Sequence, residues 1–382
     1  MAITLPNPGG PEKAAGDPQS QMYDLTELLK IMISRGASDL HLTVGIPPTI
    51  RVDGGLVQLE NVPKLTPDDT KELAYGVLTE VQRAQFERTN ELDLSFGIRG
   101  LSRFRANVYR QRDCVAMALR RIPFEIMSFD KLGLPQVVEE LADRPNGLVL
   151  VTGTTGSGKS TTMAAMIDKV NREKKLHIIT IEDPIEFVYV HRKSIVNQRQ
   201  LHSDTSTFAA ALRSVLRQDP DVVLIGEMRD KETIDIALTV AETGHLVFGT
   251  LHTNSAVQTI TRIIDVFPPD QQEQVRTQLA LVLQGVICQQ LLPRIGGGRV
   301  MCSEVMIASS AIRASIRENK IHQMDNVIQV GAKFGMQTMN HSLLKAYQNL
   351  LITREEVLAR SSNPSELISM MERDFASNKG DA

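Results

Sequence analysis

One stretch sets the terms for the rest of the chain: residues 147–162, GLVLVTGTTGSGKSTT. An apolar, β-branched run from Leu148 to Val151 leads without a break into Gly153, Thr154, Thr155, Gly156, Ser157, Gly158, Lys159 and Ser160, with Thr161 following. That is a complete G-x-x-x-x-G-K-S loop in a strand-to-helix setting. Glycines at 153, 156 and 158 let the backbone turn tightly and aim successive N–H groups at phosphate oxygens, beside a helix N-terminus whose dipole favours anions. Lys159 is then placed to reach the β- and γ-phosphates, and Ser160 to hold Mg²⁺. Binding of a nucleoside triphosphate is expected.

Length and composition bound what surrounds the loop. A chain of 382 residues with 42% hydrophobic content implies two or three domains, each with its own core. A net charge of −3 gives no global attraction to nucleic acid, and five Tyr, eleven Phe and no Trp leave few platforms for stacking bases. No nucleic-acid partner is expected. Cys114, Cys288 and Cys302 are too few and too far apart for a disulfide framework or a C-x-x-C metal knuckle, so they read as reduced, cytoplasmic cysteines. No run approaches 18 apolar residues, and residues 1–21 carry Pro, Gly and acids where a signal peptide needs an apolar stretch. Residues 1–21 are expected to be disordered and the protein to stay inside the cell.

Taken in order, residues 22–122 read as a small α+β unit. Asp24 and Glu27 form a capping-box pattern ahead of Leu25, Leu28, Leu29, Met32 and Ile33, an amphipathic helix that Gly36 ends. Short alternating segments follow at 39–44, 49–54 and 56–60, separated by Pro47-Pro48 and Gly54-Gly55, and predict antiparallel strands. Thr66-Pro67 opens a helix running to about Glu87, and residues 91–122 return to strand patterning. Residues 123–146, with Pro, Gly and one short helix, read as a linker. From 147 to 292 strand and helix alternate, the pattern of a doubly wound P-loop sheet. From 270 onward the sequence reads as mostly helical, with 293–371 a helical C-terminal part broken by a short hairpin at GGGRVMCSEVM, and 372–382 a polar tail.

In an open α/β sheet, ligands sit at the carboxyl ends of the strands. Polar side chains stand at the ends of three predicted strands there: Asp183 and Glu186 after HIITIE, Glu227 after DVVLIG and His252 at the end of LVFGTLHT. DVVLIGE is a Walker B-like strand with Gly226 where many P-loop enzymes carry the magnesium-side Asp, so Glu227 is the natural carboxylate. It polarises the attacking water or binds it to the metal. Capping of the next helix is the plainer role for Glu227, and a solvated acidic turn the plainer role for Asp183 and Glu186. His245 and His252 bracket one strand and lie ~23 Å apart at about 3.3 Å per residue, too far to share a metal. His252 falls near the phosphates. His245 follows Gly244 and is either a helix cap or functional. Arginines crowd the end of the first unit: Arg99, Arg103, Arg105, Arg110, Arg112, Arg120 and Arg121. Most such runs are solvated faces, yet Arg105 and Arg120 fall on consecutive strands and could converge as fingers on a γ-phosphate.

Six blocks together resemble the type IV pilus retraction ATPases, the twitching-motility PilT family: ASDLHL (37–42), GTTGSGKSTT (153–162), ITIEDPIE (179–186), DPDVVLIGEMRD (219–230), GHLVFGTLHTN (244–254) and AIRASIREN (311–319). They occur in the family's order and spacing and cover nearly all of residues 22–371. The resemblance implies a homohexameric ATPase that uses ATP and Mg²⁺ and is peripheral to the cytoplasmic side of the inner membrane. A PAS-like N-terminal domain and a RecA-like P-loop domain with a helical C-terminal extension would move against each other to depolymerise pili, through a platform protein and, indirectly, pilin. It also implies that Glu186 falls in the family's acid box, that Glu227 is its Walker B glutamate, that His245 and His252 are its histidine pair, and that Arg105 and Arg120 reach the nucleotide. At Ala314 and Ser315 the block AIRASIREN departs from the more usual A-I-R-N-L-I-R-E, a motif tied to retraction rather than hydrolysis. Pilus-extension and type II secretion ATPases typically carry a long N-terminal region and a four-cysteine zinc insertion, and neither is expected of this chain.

Four functional classes remain to be weighed. A motor ATPase fits every block, and a retraction-accessory paralogue of the same family is its nearest alternative. A regulatory module that holds nucleotide without turnover predicts loss of the water-activating acid, whereas Glu227 and Glu186 are present. A nucleic-acid translocase predicts a basic or aromatic pore, but Arg229, Lys231 and Arg262 are scattered among acids. A small-molecule kinase leaves the arginine-rich first unit unexplained.

Overall fold

The computed structural model describes residues 24–52, 54–98, 100–122 and 126–378. The segment 1–21 expected to be disordered, Arg99 and the last four residues of the polar tail lie outside the described residues. The chain divides into two units at Phe124/Glu125.

In the first unit, Asp24 caps helix α1 (Leu25–Ser34) by accepting the Thr26 N–H at 2.8 Å, and Leu28, Leu29 and Met32 form its buried stripe. Strands β1 (Asp39–Leu42), β2 (Thr49–Val52) and β3 (Gly55–Gln58) follow. The single helix expected from Thr66 to about Glu87 is two, α2 (Pro67–Tyr75) and α3 (Glu80–Thr89). Each begins with its own reciprocal capping box, Thr66 with Asp69 and Thr79 with Gln82. Those boxes satisfy the free N–H groups of a new first turn, so a second start is favoured after Gly76. Strands β4 (Glu91–Ile98), β5 (Ser102–Gln111) and β6 (Cys114–Ile122) complete a six-stranded antiparallel sheet ordered β3-β2-β1-β6-β5-β4. Leu40, Ile50, Phe104, Ala106 and Leu119 are fully or almost fully buried and form the core with α1–α3. In β1, β2, β4 and β5 the alternate positions are mostly polar, as expected for a sheet with one wet face.

In the second unit, α4 (Phe129–Leu132) and α5 (Gln136–Ala142) precede strand β7 (Gly147–Thr152). Residues 123–146 were expected to be a linker with one short helix, but Phe129, Val138, Leu141 and Ala142 belong to the larger core. Next come α6 (Lys159–Glu173), β8 (His177–Glu182), β9 (Ile195–Gln200), α7 (Phe208–Val215), β10 (Val222–Ile225), α8 (Lys231–Glu242), β11 (Leu246–Leu251), α9 (Ala256–Asp265), α10 (Gln272–Val282), β12 (Leu283–Pro293) and β13 (Arg299–Ile307). Helices α11 (Ser310–Arg317), α12 (Met324–Val330), α13 (Met339–Gln348), α14 (Arg354–Arg360) and α15 (Pro364–Asn378) close the chain, so the expected polar tail is helical through residue 378.

The seven strands are ordered β13-β12-β7-β11-β10-β8-β9, with β13 antiparallel to β12 and every other neighbouring pair parallel. Strands β7, β10 and β11 are buried at every position, the signature of parallel strands covered on both faces. Two departures from the sequence reading matter for the site. Residues 283–293, expected to be helical, form β12, which pairs with β7 along Leu283 to Cys288. A boundary at 292 therefore cuts a strand of the central sheet. β9 went unread because IVNQRQ has only two apolar residues and lies at the sheet edge. Among the described residues no helix is long and apolar enough to cross a membrane.

Candidate active site

The loop between β7 and α6 is shaped by its glycines. Gly153 and Gly158 have φ of +138° and +92°, backbone that side chains with a Cβ rarely adopt. A Cβ on Gly153 would also strike the Gln289 carbonyl and the Ser157 hydroxyl, so the loop rides directly on β12. Lys159, 9% exposed, donates from Nζ to the carbonyls of Gly153 at 2.9 Å and Thr154 at 3.0 Å. Burial pushes its ammonium below the ordinary lysine pKa, and the carboxylates of Glu227 and Glu186 oppose that shift. Thr155, Gly156, Gly158, Lys159, Ser160 and Thr161 form one wall of a cleft of about 430 Å³.

The opposite wall comes from the carboxyl ends of β8, β10 and β11, which bring Asp183, Glu186, Glu227 and His252 into the same cleft. Gly226 turns the chain there. Its N–H donates to the Ile181 carbonyl at 2.7 Å, and its own carbonyl accepts from the Thr250 hydroxyl. A side chain at 226 would press on the backbone of Glu182 and Ile181, 3.1 and 3.2 Å from its Cβ. The acid therefore stands one residue later. Glu227 Oε1 accepts from Arg229 Nε and lies 3.2 Å from His252 Nε2. Such a carboxylate, beside the phosphate loop and held by two cationic or proton-bearing partners, can orient a water and take its proton.

Several lining residues escaped the sequence reading, Glu182, Leu291 and Arg299 among them. Glu182 is buried where Asp183 and Glu186 are exposed. It accepts from the Thr180 hydroxyl at 2.6 Å and Gln198 Nε2 at 3.2 Å, and burial pushes its carboxyl up despite these bonds. Its signal was the alternation Thr180, Glu182 at the end of a buried strand. Leu291 and Arg299 reach the cleft from β12 and β13, and Arg299 opens its strand directly after Gly296-Gly297-Gly298.

Other predicted site residues lie elsewhere. Gly153 and Thr154 hold the Lys159 ammonium, and Ser157 is buried beneath the loop. His245 stands at the amino end of β11, its Nδ1 3.0 Å from the Val240 carbonyl and 3.1 Å from the Thr243 hydroxyl. It closes the end of α8 and is not among the residues lining the cleft. In the first unit Arg105 and Arg120 are direct cross-strand partners on β5 and β6. Arg120 Nε donates to Asp39 Oδ1 at 2.7 Å, and Arg105 lies 4.0 Å from Asp93. Arg112 occupies the β5–β6 turn with a left-handed φ of +48°.

Residues 103–342 match the family model described as type II/IV secretion system protein. The chain belongs to that family. Among members of the type II/IV secretion family it is 50% identical over 341 residues to the type IV pilus retraction ATPase PilT of Pseudomonas aeruginosa, covering 89% of this chain and 99% of that protein. It is 47% identical over 346 residues to the twitching motility protein of Neisseria gonorrhoeae, covering 90% and 92% respectively. The crystal structure of the pilus retraction motor PilT with bound ADP superposes with a TM-score of 0.86 at 56% identity, over 90% of this chain and 98% of that one.

Proposed function

We propose that this protein is a motor ATPase that hydrolyses Mg-ATP and drives type IV pilus retraction, and hence twitching motility. The observation that carries the reading is its likeness to a pilus retraction ATPase, with half the aligned positions identical over 99% of that protein's length. The cleft supplies the chemistry that such an enzyme needs. Lys159 and the N–H groups of the loop face the phosphates, and Glu227 orients the attacking water and takes its proton as ADP leaves. His252 holds Glu227 in place. Ser160, with Asp183 or Glu227, offers the hard oxygen donors that suit Mg²⁺. When bound, the ion neutralises charge on the β- and γ-phosphates. Arg105 and Arg120, side by side on the first unit, act on the γ-phosphate as fingers in this reading.

The wider assembly is part of the same proposal. A PAS-like first unit and a RecA-like second unit would rotate as hydrolysis removes the charge that the arginines grip. Six copies in a ring, peripheral to the cytoplasmic face of the inner membrane, would pass that rotation to a platform protein and so to pilin.

The test is steady-state Mg-ATP hydrolysis by wild type and Glu227→Gln, with particle mass measured in the same nucleotide. We expect turnover to fall at least 100-fold in the variant and both proteins to form hexamers. A well-folded wild-type hexamer without turnover would instead assign the chain an accessory role.

A further inference from the structure

Gln289 is fully buried in β12, where Ile287, Cys288 and Leu292 are buried too. A primary amide in such a place costs free energy unless both of its ends are paired. One end is. Nε2 donates to the Thr162 hydroxyl at 2.7 Å, in the first turn of α6, and lies 3.2 Å from Met301 Sδ. Oε1 has no hydrogen-bond partner among the described residues.

Across the loop, the hydroxyl of Ser157 is a second buried group without a partner among the described residues, on a residue only 3% exposed. The two are complementary, an acceptor and a donor. They also flank the same glycine, because a Cβ on Gly153 would meet both the Ser157 hydroxyl and the backbone of Gln289. Lys159 meanwhile draws the loop onto its own ammonium through the Gly153 and Thr154 carbonyls. Phosphate oxygens are stronger partners for an ammonium than peptide carbonyls. Once Lys159 turns to them, the segment from Gly153 to Ser157 is released.

We propose that Gln289 is a positioning residue for the phosphate loop: phosphate binding lets the Ser157 hydroxyl donate to Gln289 Oε1, and β12 then holds the loop in its nucleotide-bound shape. The buried amide is half-paired in one state and fully paired in the other. Its Nε2 bond to Thr162 holds the amide at the first turn of α6, the helix that the loop opens. The inference rests on the reading of this loop as the nucleotide site.

The test uses the full chain as wild type, Gln289→Leu, Ser157→Ala and the double variant, titrated with N-methylanthraniloyl-ADP and melted without nucleotide. Each single variant is expected to bind about five- to tenfold more weakly, the loss of one hydrogen bond made on binding. The double variant is expected to be no weaker than either single, and Tm without nucleotide to stay level or rise in Gln289→Leu. KM for Mg-ATP should rise by the same factor while kcat changes less than twofold. If Gln289→Leu fails to fold, Gln289→Met, with its flexible chain, serves in its place. Unchanged affinity in the single variants, or penalties that multiply in the double, would overturn the proposal. Failure of the wild type to bind the probe would instead remove the nucleotide reading on which it rests.

Discussion

His252 Nε2 lies 3.2 Å from Glu227 Oε1, across the carboxyl ends of the adjacent parallel strands β11 and β10. Arg229 Nε bonds the same oxygen from the following turn. Glu227 therefore has one oxygen held by two neighbours, with its second oxygen left for a water. Replacing His252 with Ala loosens this arrangement without touching the phosphate loop. We expect kcat to fall about 10- to 100-fold and KM for Mg-ATP to stay within about twofold. A rise in KM with kcat intact, in a steady-state assay, would place His252 in binding instead.

Lys159 sets an alkaline limit on nucleotide affinity. Its phosphate-binding form is the ammonium, and burial lowers its pKa below the ordinary lysine value of about 10.4, with Glu227 and Glu186 opposing. As pH rises through that lowered pKa the charged fraction falls. KM for Mg-ATP should therefore climb at a pH below the ordinary lysine range, while Lys159→Arg, charged throughout, should show no such climb. The measurement is KM from pH 7 to 10 at fixed free Mg²⁺. A flat wild-type profile up to pH 10 would contradict the assignment.

Lys169 ties α5 to α6. Its side chain is 8% exposed and its Nζ lies 2.7, 3.1 and 3.4 Å from carboxylates of Glu173, Glu139 and Asp143. Burial acts to lower its pKa, but hydrogen bonds and charge from these acids outweigh it and raise it well above the ordinary value. A raised lysine contributes stability that is complete below its unfolded pKa and lost only as pH rises through the folded one. Lys169→Met leaves Glu139 and Glu173 without this cation while Asp143 keeps Lys174, and should cost about 1–3 kcal/mol, a modest figure because those acids are partly exposed. The cost should be the same at pH 6 and pH 9 in denaturant melts. A difference greater than about 1 kcal/mol between the two would show that another group dominates.

The phosphate loop, the strand-end acids and the alternation of β with α were legible because each is written in a short local stretch. Gly153, Lys159 and Glu227 needed no partner to be recognised. What the sequence concealed was chosen by neighbours. β12 reads as an apolar run of either kind until β7 claims it as a buried parallel strand, and only then does Gln289 stand beneath the loop. β9 has too few apolar residues to announce itself, and the edge of the sheet does not require more. Glu182 was passed over for Asp183 and Glu186 because burial, not identity, distinguishes the three. The division of one expected helix into α2 and α3 was visible in Thr79 and Gln82, but capping there competes with a continuous helical pattern and wins through hydrogen bonds that propensity does not count.

Among the described residues, the larger core around Val149, Ile225 and Phe248 and the smaller one around Phe86, Phe104 and Leu119 have no side chain in common. Mutational drift is thereby compartmented. A substitution that loosens the packing behind Arg105 and Arg120 removes contacts from the smaller core alone, so each interior answers for its own substitutions.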